Sequence, residues 1–192
     1  MGRYVIGITG ASGVIYGNRL TGWLLDHGHQ VHLVVSDPGR LVMRDELGIP
    51  ADIPLRELFT GGSLITHENR DIGAVIASGS FRHDGMIVIP CTMSTLAGIA
   101  QGTSKNLIER AADVSLKENR PLLLVPRETP LNLIHLRNLT AAAEAGAKII
   151  PAMPAFYHRP ETMMDLIDFL VGKVLDQLGL EHHLFHRYLD KS

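Results

Sequence analysis

Apolar and polar positions along the chain follow two rhythms, short continuous apolar runs and longer stretches with helical spacing. RYVIGITG opens with a β-rich run that ends in glycine. GVIYGNRLTGWLLDHG then sets Val14, Leu20, Leu24 and Leu25 at helix-like spacing, which predicts strand, turn, helix. VHLVVS, Val31 to Ser36, is a second buried-strand run, and GRLVMRDELG after it predicts a short helix stopping near Gly48, Ile49 and Pro50. From Ile49 to His83 the pattern weakens. Gly61, Gly62 and the turn Ser78-Gly79-Ser80 surround one suggested short strand at LIT, so this segment is expected to be mobile or interface-forming.

Regularity returns with GMIVIPC as a strand, then STLAGIAQG and SKNLIERAADVSLKEN as helices, with Ser104 placed to cap the second. PLLLVPRE is a strand with two charges at its C-terminal end, NLIHLRNLTAAAEAG a helix closed by Gly146, and AKIIP a last short strand. PAMPAFYHRP carries Pro151, Pro154 and Pro160 and reads as an irregular connection before the helix ETMMDLIDFLVGKVLDQLG. This alternation predicts a single α/β domain over residues 1–192, Rossmann-like, with a doubly wound, mostly parallel sheet of about five strands. In such sheets ligands collect beyond the C-terminal strand ends. ITGAS, VVS, PCTMST, VPRE and the proline-rich segment are therefore expected to converge.

Composition narrows the classes. The chain has 192 residues, 45% hydrophobic, enough for one substantial core but not for a second full domain. Eighteen Lys and Arg against 20 Asp and Glu leave a formal charge of −2, so no broad field exists for nucleic acid or an anionic membrane. Any anion site must be local. The one cysteine, Cys91, excludes an internal disulfide and suits a reducing cytosol. No secretory signal pattern is read at the N-terminus, and no apolar run approaches the roughly 20 residues of a membrane span.

Several residues are placed for chemistry. In GITGASGVIYG, Gly7, Gly10 and Gly13 recur every three residues and depart from the G-x-G-x-x-G dinucleotide pattern. Glycines there allow backbone N–H groups, aided by the helix that follows, to approach a phosphate. A ligand-free tight turn is the alternative. The second strand ends in Ser36-Asp37, one position late for the acidic residue of an NAD site. CTMST supplies hydroxyls that either bond an oxygen-rich ligand or cap a helix, and Cys91 reads as an inert buried thiol. Arg127 and Glu128 leave the strand PLLLVP at its functional end, either as an anion grip beside a proton-shuttling carboxylate or as a salt bridge. Arg110 and Lys117 share one helix face, a pattern usual for a solvated surface. Tyr157, His158 and Arg159 lie on a proline-stiffened loop. His27, His29 and His32, and His182, His183 and His186, lack the spacing of a metal site.

Taken together, GITGASGVIYG, ASGSF, IPCTMSTLAGIAQG, NLIERAADVSLKENRPLLLVPRETPL, IHL and PAMPAFYHRPET resemble the UbiX-type flavin prenyltransferases, formerly called 3-octaprenyl-4-hydroxybenzoate or phenylacrylic acid decarboxylases. The resemblance covers nearly the whole chain, and 106–130 is its most specific part. It implies a Rossmann-like or flavodoxin-like flavoprotein, homo-oligomeric and typically dodecameric, with FMN between subunits and no metal. The implied reaction moves a dimethylallyl group from dimethylallyl phosphate to N5 and C6 of reduced FMN, and the prenylated FMN then serves a UbiD-type decarboxylase.

By motif, the resemblance assigns FMN contacts to Gly10, Ala11, Ser12, Ser36, the turn Thr92, Met93, Ser94 and Thr95, and Arg127. It assigns the prenyl phosphate to Tyr157 and Lys173, with Arg110 and Lys117 arriving from a neighbouring subunit. Glu128 would manage protons, Ser12 and Lys117 would share in catalysis, and Glu46 would border the pocket. The last helix and tail, about 161–192, would pack on neighbouring subunits. Lys173 stands where many members have arginine, and Tyr188 where many have tryptophan after the arginine, here Arg187. The rival readings are an FMN-dependent cysteine decarboxylase, a flavin carrier without chemistry and, more distantly, a dinucleotide-dependent reductase.

Overall fold

The computed structural model describes residues 1–187; Tyr188 lies outside them. Six strands form one all-parallel sheet in the order β3-β2-β1-β4-β5-β6: β1 Arg3–Ile8, β2 Gln30–Val35, β3 Ser63–Glu68, β4 Gly85–Cys91, β5 Leu122–Pro126 and β6 Lys148–Ile149. This is the doubly wound order, with its topological switch between β1 and β4. The sixth strand comes from the weak segment. SLITHE is an edge strand, half exposed on both faces, so it lacks the continuous apolar run that marks the inner strands. Segment 49–83 is also better tied down than its pattern predicts: Asn69 accepts the Leu107 N–H (2.8 Å) through its carbonyl and the Ile108 N–H (3.2 Å) through its side chain.

Helices cover both faces: α1 Val14–Asp26, α2 Asp37–Leu47, α3 Met93–Ala100, α4 Leu107–Lys117, α5 Leu133–Glu144 and α6 Met163–Leu178. Alternation along β1 divides the core. Ile6 and Ile8 pack with Leu20 and Leu24 of α1 and Val171 of α6, while Val5 packs with Leu96 of α3 and Ile108 of α4. Arg19 and Asp168 fasten α1 to α6 through a forked pair of hydrogen bonds, the shorter 2.6 Å. Ser104 does not cap α4. It adopts a left-handed conformation (φ 50°), and Asn106 is the cap, accepting from Glu109 N at 3.0 Å. Asn106 prevails because its side chain bonds both ways with Glu109, whose buried carboxylate also collects Thr103 Oγ1 and Lys105 N.

His32 of β2 and His67 of β3 share a 2.9 Å Nδ1 to Nε2 hydrogen bond, and His83 lies near by across Phe81. Burial, then the neighbouring His67, pushes the His32 pKa down to about 4; burial, then Arg120, does the same to His83. A folded-state value below the unfolded one means the unfolded chain binds more protons between them. Stability is therefore expected to be full above about pH 6.5 and to fall as pH drops toward 4. Denaturant midpoints measured across pH 7.5 to 4 check this, and a flat profile over that window would sink it.

Candidate active site

Four turns meet at the carboxyl edge of the sheet, where the parallel strands aim them. Thr9, directly after β1, ties the switch point together: its hydroxyl donates to the Pro90 carbonyl (2.7 Å) and accepts the Thr92 N–H (2.9 Å). Arg127 follows β5; its backbone N–H donates to the Cys91 carbonyl (3.4 Å) and its Nε to the Ser12 carbonyl (3.1 Å). The Ala152 N–H donates to the Pro126 carbonyl at 3.0 Å, bringing the proline-rich segment alongside. The expected convergence of ITGAS, PCTMST, VPRE and PAMP is thus realised.

Helix starts supply the polarity. Ser36 caps α2, accepting from Gly39 N at 3.1 Å. Thr92 caps α3, accepting from Thr95 N at 3.1 Å, with its hydroxyl donating to Thr95 Oγ1. Capping and ligand binding are compatible, since the remaining N–H groups of each first turn still point to the carboxyl edge. Met93 is buried, Thr92 and Thr95 half-buried and Ser94 exposed, so Ser94 is the most accessible member of that turn. Gly10 lies against Pro38, where any side chain would collide, and Ala11 is buried.

The α1 start is different. Gly13 takes a left-handed conformation (φ 93°), which favours glycine, and its N–H donates to both carboxylate oxygens of Glu46, at 2.9 and 3.2 Å. One of the N–H groups that the glycine turn was expected to offer a phosphate is therefore held by a side chain of the protein. Burial, then the Glu46 charge, raises the Tyr16 pKa above its ordinary value. Ser12, Tyr16 and Glu46 share a largely apolar cavity of about 380 Å³ with Met163, Leu166 and Ile167 of α6.

Arg127 and Glu128 do not form the alternative salt bridge. Glu128 accepts only the adjacent Thr129 N–H (3.1 Å), and the terminal nitrogens of Arg127 have no partner among the described residues. Cys91 is inert: burial pushes its thiol up to about 12. Tyr157 stands edge-on to Phe169 (5.8 Å), and Lys173 lies one turn beyond Phe169 on the same helix face. Lys173 sits 3.5 Å from Asp176, which also receives Arg187 (2.6 Å) and His182 (3.1 Å). Burial works against the Asp176 carboxylate, yet its bonds to Arg187 and His182 hold its pKa below the usual range. Within one chain residues 181–187 fold onto α6, with Phe185 packed on Phe169.

Arg110 and Lys117 are not brought to the Ser12 turn. Arg110 pairs with Asp113 (2.9 Å) and Lys117 lies 3.5 Å from Glu118, both on or beside α4. Sequence reasoning passed over Thr9, Tyr16, the α6 residues of the cavity and Asp176. Thr9 could have been found, since a threonine immediately after the first strand of a doubly wound sheet is suited to bridge its neighbour. No group of three His, Cys, Asp or Glu side chains among the described residues could hold a metal.

The Flavoprotein family model matches residues 2–175. A flavin prenyltransferase UbiX from Halalkalibacterium halodurans is 55% identical over 97% of this chain and 93% of its own. The structure of AnUbiX (PadA1) in complex with FMN and dimethylallyl pyrophosphate superposes with a TM-score of 0.90 at 41% identity, covering 100% of this chain and 99% of that one. A dodecameric FMN-dependent UbiX-like decarboxylase from Escherichia coli O157:H7 gives 0.88 at 44% identity, covering 97% and 98%. Similarity at this level across the whole chain, together with the geometry of the carboxyl-edge turns, places the protein in the flavoprotein family and, within it, among the UbiX flavin prenyltransferases.

Proposed function

We propose that this protein transfers a dimethylallyl group from dimethylallyl phosphate to N5 and C6 of reduced FMN. The observation that carries the reading is the carboxyl-edge constellation itself. Arg127 is anchored through Nε to the Ser12 carbonyl, its outer nitrogens without a partner among the described residues, at the edge that also carries two hydroxyl-capped helix starts and an apolar cavity. That donor set fits FMN, whose phosphate and ring oxygens are acceptors. Reduced FMN, when bound, supplies the nucleophilic N5 and C6.

Each remaining role falls to the chain. Gly10, Ala11, Ser12, Ser36, Thr92, Met93, Ser94, Thr95 and Arg127 hold and orient the flavin. Tyr157 and Lys173 bind the prenyl phosphate, and Arg110 and Lys117 reach it from a neighbouring copy. Their ion pairs on or beside α4, with no bond to their own chain's Ser12 turn among the described residues, fit that division. Cations around a departing phosphate stabilise the charge it gains. The apolar lining contributed by Met163, Leu166 and Ile167 keeps water from an allylic cation. Glu128, with one local hydrogen bond, exchanges protons at the flavin; Glu46 and Ser12 share the cavity and take part in moving the proton released at C6.

The same reading includes a homo-oligomer, dodecameric as in the Escherichia coli O157:H7 relative. Exposed Leu133, Ile134 and Leu136 of α5, with Met153, Phe156 and Met163, support apolar contacts between copies, and in the same reading the last helix and tail join those contacts. It further includes a cytoplasmic setting and a UbiD-type decarboxylase as recipient of the prenylated FMN. The lone buried thiol agrees with a reducing compartment, and no helix among the described residues is long and apolar enough to cross a membrane.

Anaerobic incubation with reduced FMN and dimethylallyl phosphate is expected to yield prenylated flavin by mass spectrometry. Unchanged FMN with both the monophosphate and the diphosphate would refute the proposal.

A further inference from the structure

A second cavity, of about 640 Å³, opens at the amino edge of the sheet, lined by Arg3, Gln30, Arg82, His83, Asp84 and Arg120 among others. A six-residue strand separates this edge from the flavin turns by about 20 Å. The three arginines arrive from three elements. Arg3 opens β1, Arg82 precedes β4 and Arg120 precedes β5, so parallel strand starts deliver them to one place as strand ends deliver the active site.

Two of the guanidiniums are fixed, and fixed almost wholly by neutral acceptors. Arg3 donates to Gln30 Oε1 (2.5 Å) and the Arg82 carbonyl (3.0 Å), and lies 5.1 Å over the Phe81 ring. Arg120 donates to the carbonyls of Phe81 and Gly79, each at 2.5 Å, with the Glu118 carboxylate only at 3.9 Å. Carbonyls hold a guanidinium in place without cancelling its charge. Arg82 has no side-chain partner among the described residues. Asp84 is the one carboxylate lining the cavity, and it accepts the Arg3 backbone N–H at 2.6 Å. Three arginines against one carboxylate concentrate positive charge here in a chain whose formal charge is −2.

Preorganised guanidiniums held mainly by neutral acceptors in a cleft of ligand size match phosphate oxygens, which accept forked hydrogen bonds and bring further negative charge. We propose that this cavity binds a compact polyanion built of phosphate groups, gripped by Arg3, Arg82 and Arg120 at the edge of the sheet opposite the flavin. Two sources share that chemistry, free inorganic diphosphate and the triphosphate of a nucleotide.

The test is isothermal titration of the full-length protein carrying oxidised FMN, with excess dimethylallyl phosphate present to fill the carboxyl-edge phosphate site. Inorganic diphosphate and ATP are titrated separately into the native protein and into Arg82→Glu. Arg82 bonds to the fold only through its backbone, so the variant is expected to keep its FMN affinity and turnover while losing at least tenfold in affinity for the polyanion. Preference for diphosphate identifies the free anion, and tighter binding of ATP the nucleotide. Absence of binding by both probes in the native protein, or equal binding by Arg82→Glu, overturns the proposal. The overturning results are read from the heat of polyanion binding alone, so they are distinguishable from failure of the prenylation assay.

Discussion

Glutamine in place of Glu128 is expected to slow prenyl transfer by about 10²- to 10⁴-fold while FMN still binds, the range for loss of a positioned proton-transfer group. The expectation follows from how β5 ends. Backbone bonding of Arg127 to Cys91 continues the strand by one residue, and the Arg127 side chain turns to the Ser12 carbonyl. Glu128 then leaves the sheet with a carboxylate that meets only the Thr129 N–H and no cation among the described residues. A carboxylate so lightly engaged retains lone pairs for proton exchange, and an amide of the same shape keeps the bond to Thr129 while losing that capacity. Single-turnover measurements under anaerobic conditions, with FMN titration in parallel, separate the two effects. Turnover within threefold of the native enzyme would remove Glu128 from the mechanism. A loss of FMN binding as large as the loss of rate would make it a binding group instead.

The second large effect concerns the fold. Alanine at Gly17 is expected to destabilise the protein by about 3 kcal/mol, at the upper end for overpacking, a drop of roughly 6 to 12 °C in Tm. Helix propensity alone predicts the reverse, a gain of about 1 kcal/mol. Packing decides the sign. Gly17 is buried where α1 crosses the sheet. A Cβ there would press on the Ile89 carbonyl oxygen, which is rigid backbone, and lie 2.8 Å from Ile8 Cγ1. At Gly22, in the same helix, an added methyl would meet nothing within 4 Å, so Gly22→Ala is expected to be neutral or slightly stabilising. Calorimetry on the two variants makes the comparison, and equal melting temperatures would show that α1 shifts freely on the sheet.

Much of this architecture is readable in the sequence because buried parallel strands are written as unbroken apolar runs. VIGI, VHLVV, MIVI and LLLV each pack on both faces and so admit one reading. The edge strand SLITHE has no such imprint, since half its side chains meet solvent. Turns at strand ends were legible for the same reason as the strands, which is why Ser12, Ser36, Thr92 and Arg127 could be placed at one edge. Their mutual bonds were not. Thr9 bridges to Pro90 and Thr92 only because β1 and β4 are neighbours, a fact of strand order that local pattern does not encode. The competition of Ser104 with Asn106 was settled locally instead, by the carboxylate of Glu109 three residues on.

Glu46 gives the first turn a meaning that its glycines alone do not carry. An anion drawn to the start of α1 meets a negative charge already resting on the Gly13 N–H, so Coulomb repulsion turns phosphate away from that helix end. The start of α3, capped by a neutral hydroxyl and with no acidic residue in its first turn, presents no such barrier. The carboxyl edge thus differs in charge from turn to turn: the start of α3 is open to an anion, while the mouth of α1 suits a group that gives up a proton rather than one that brings negative charge.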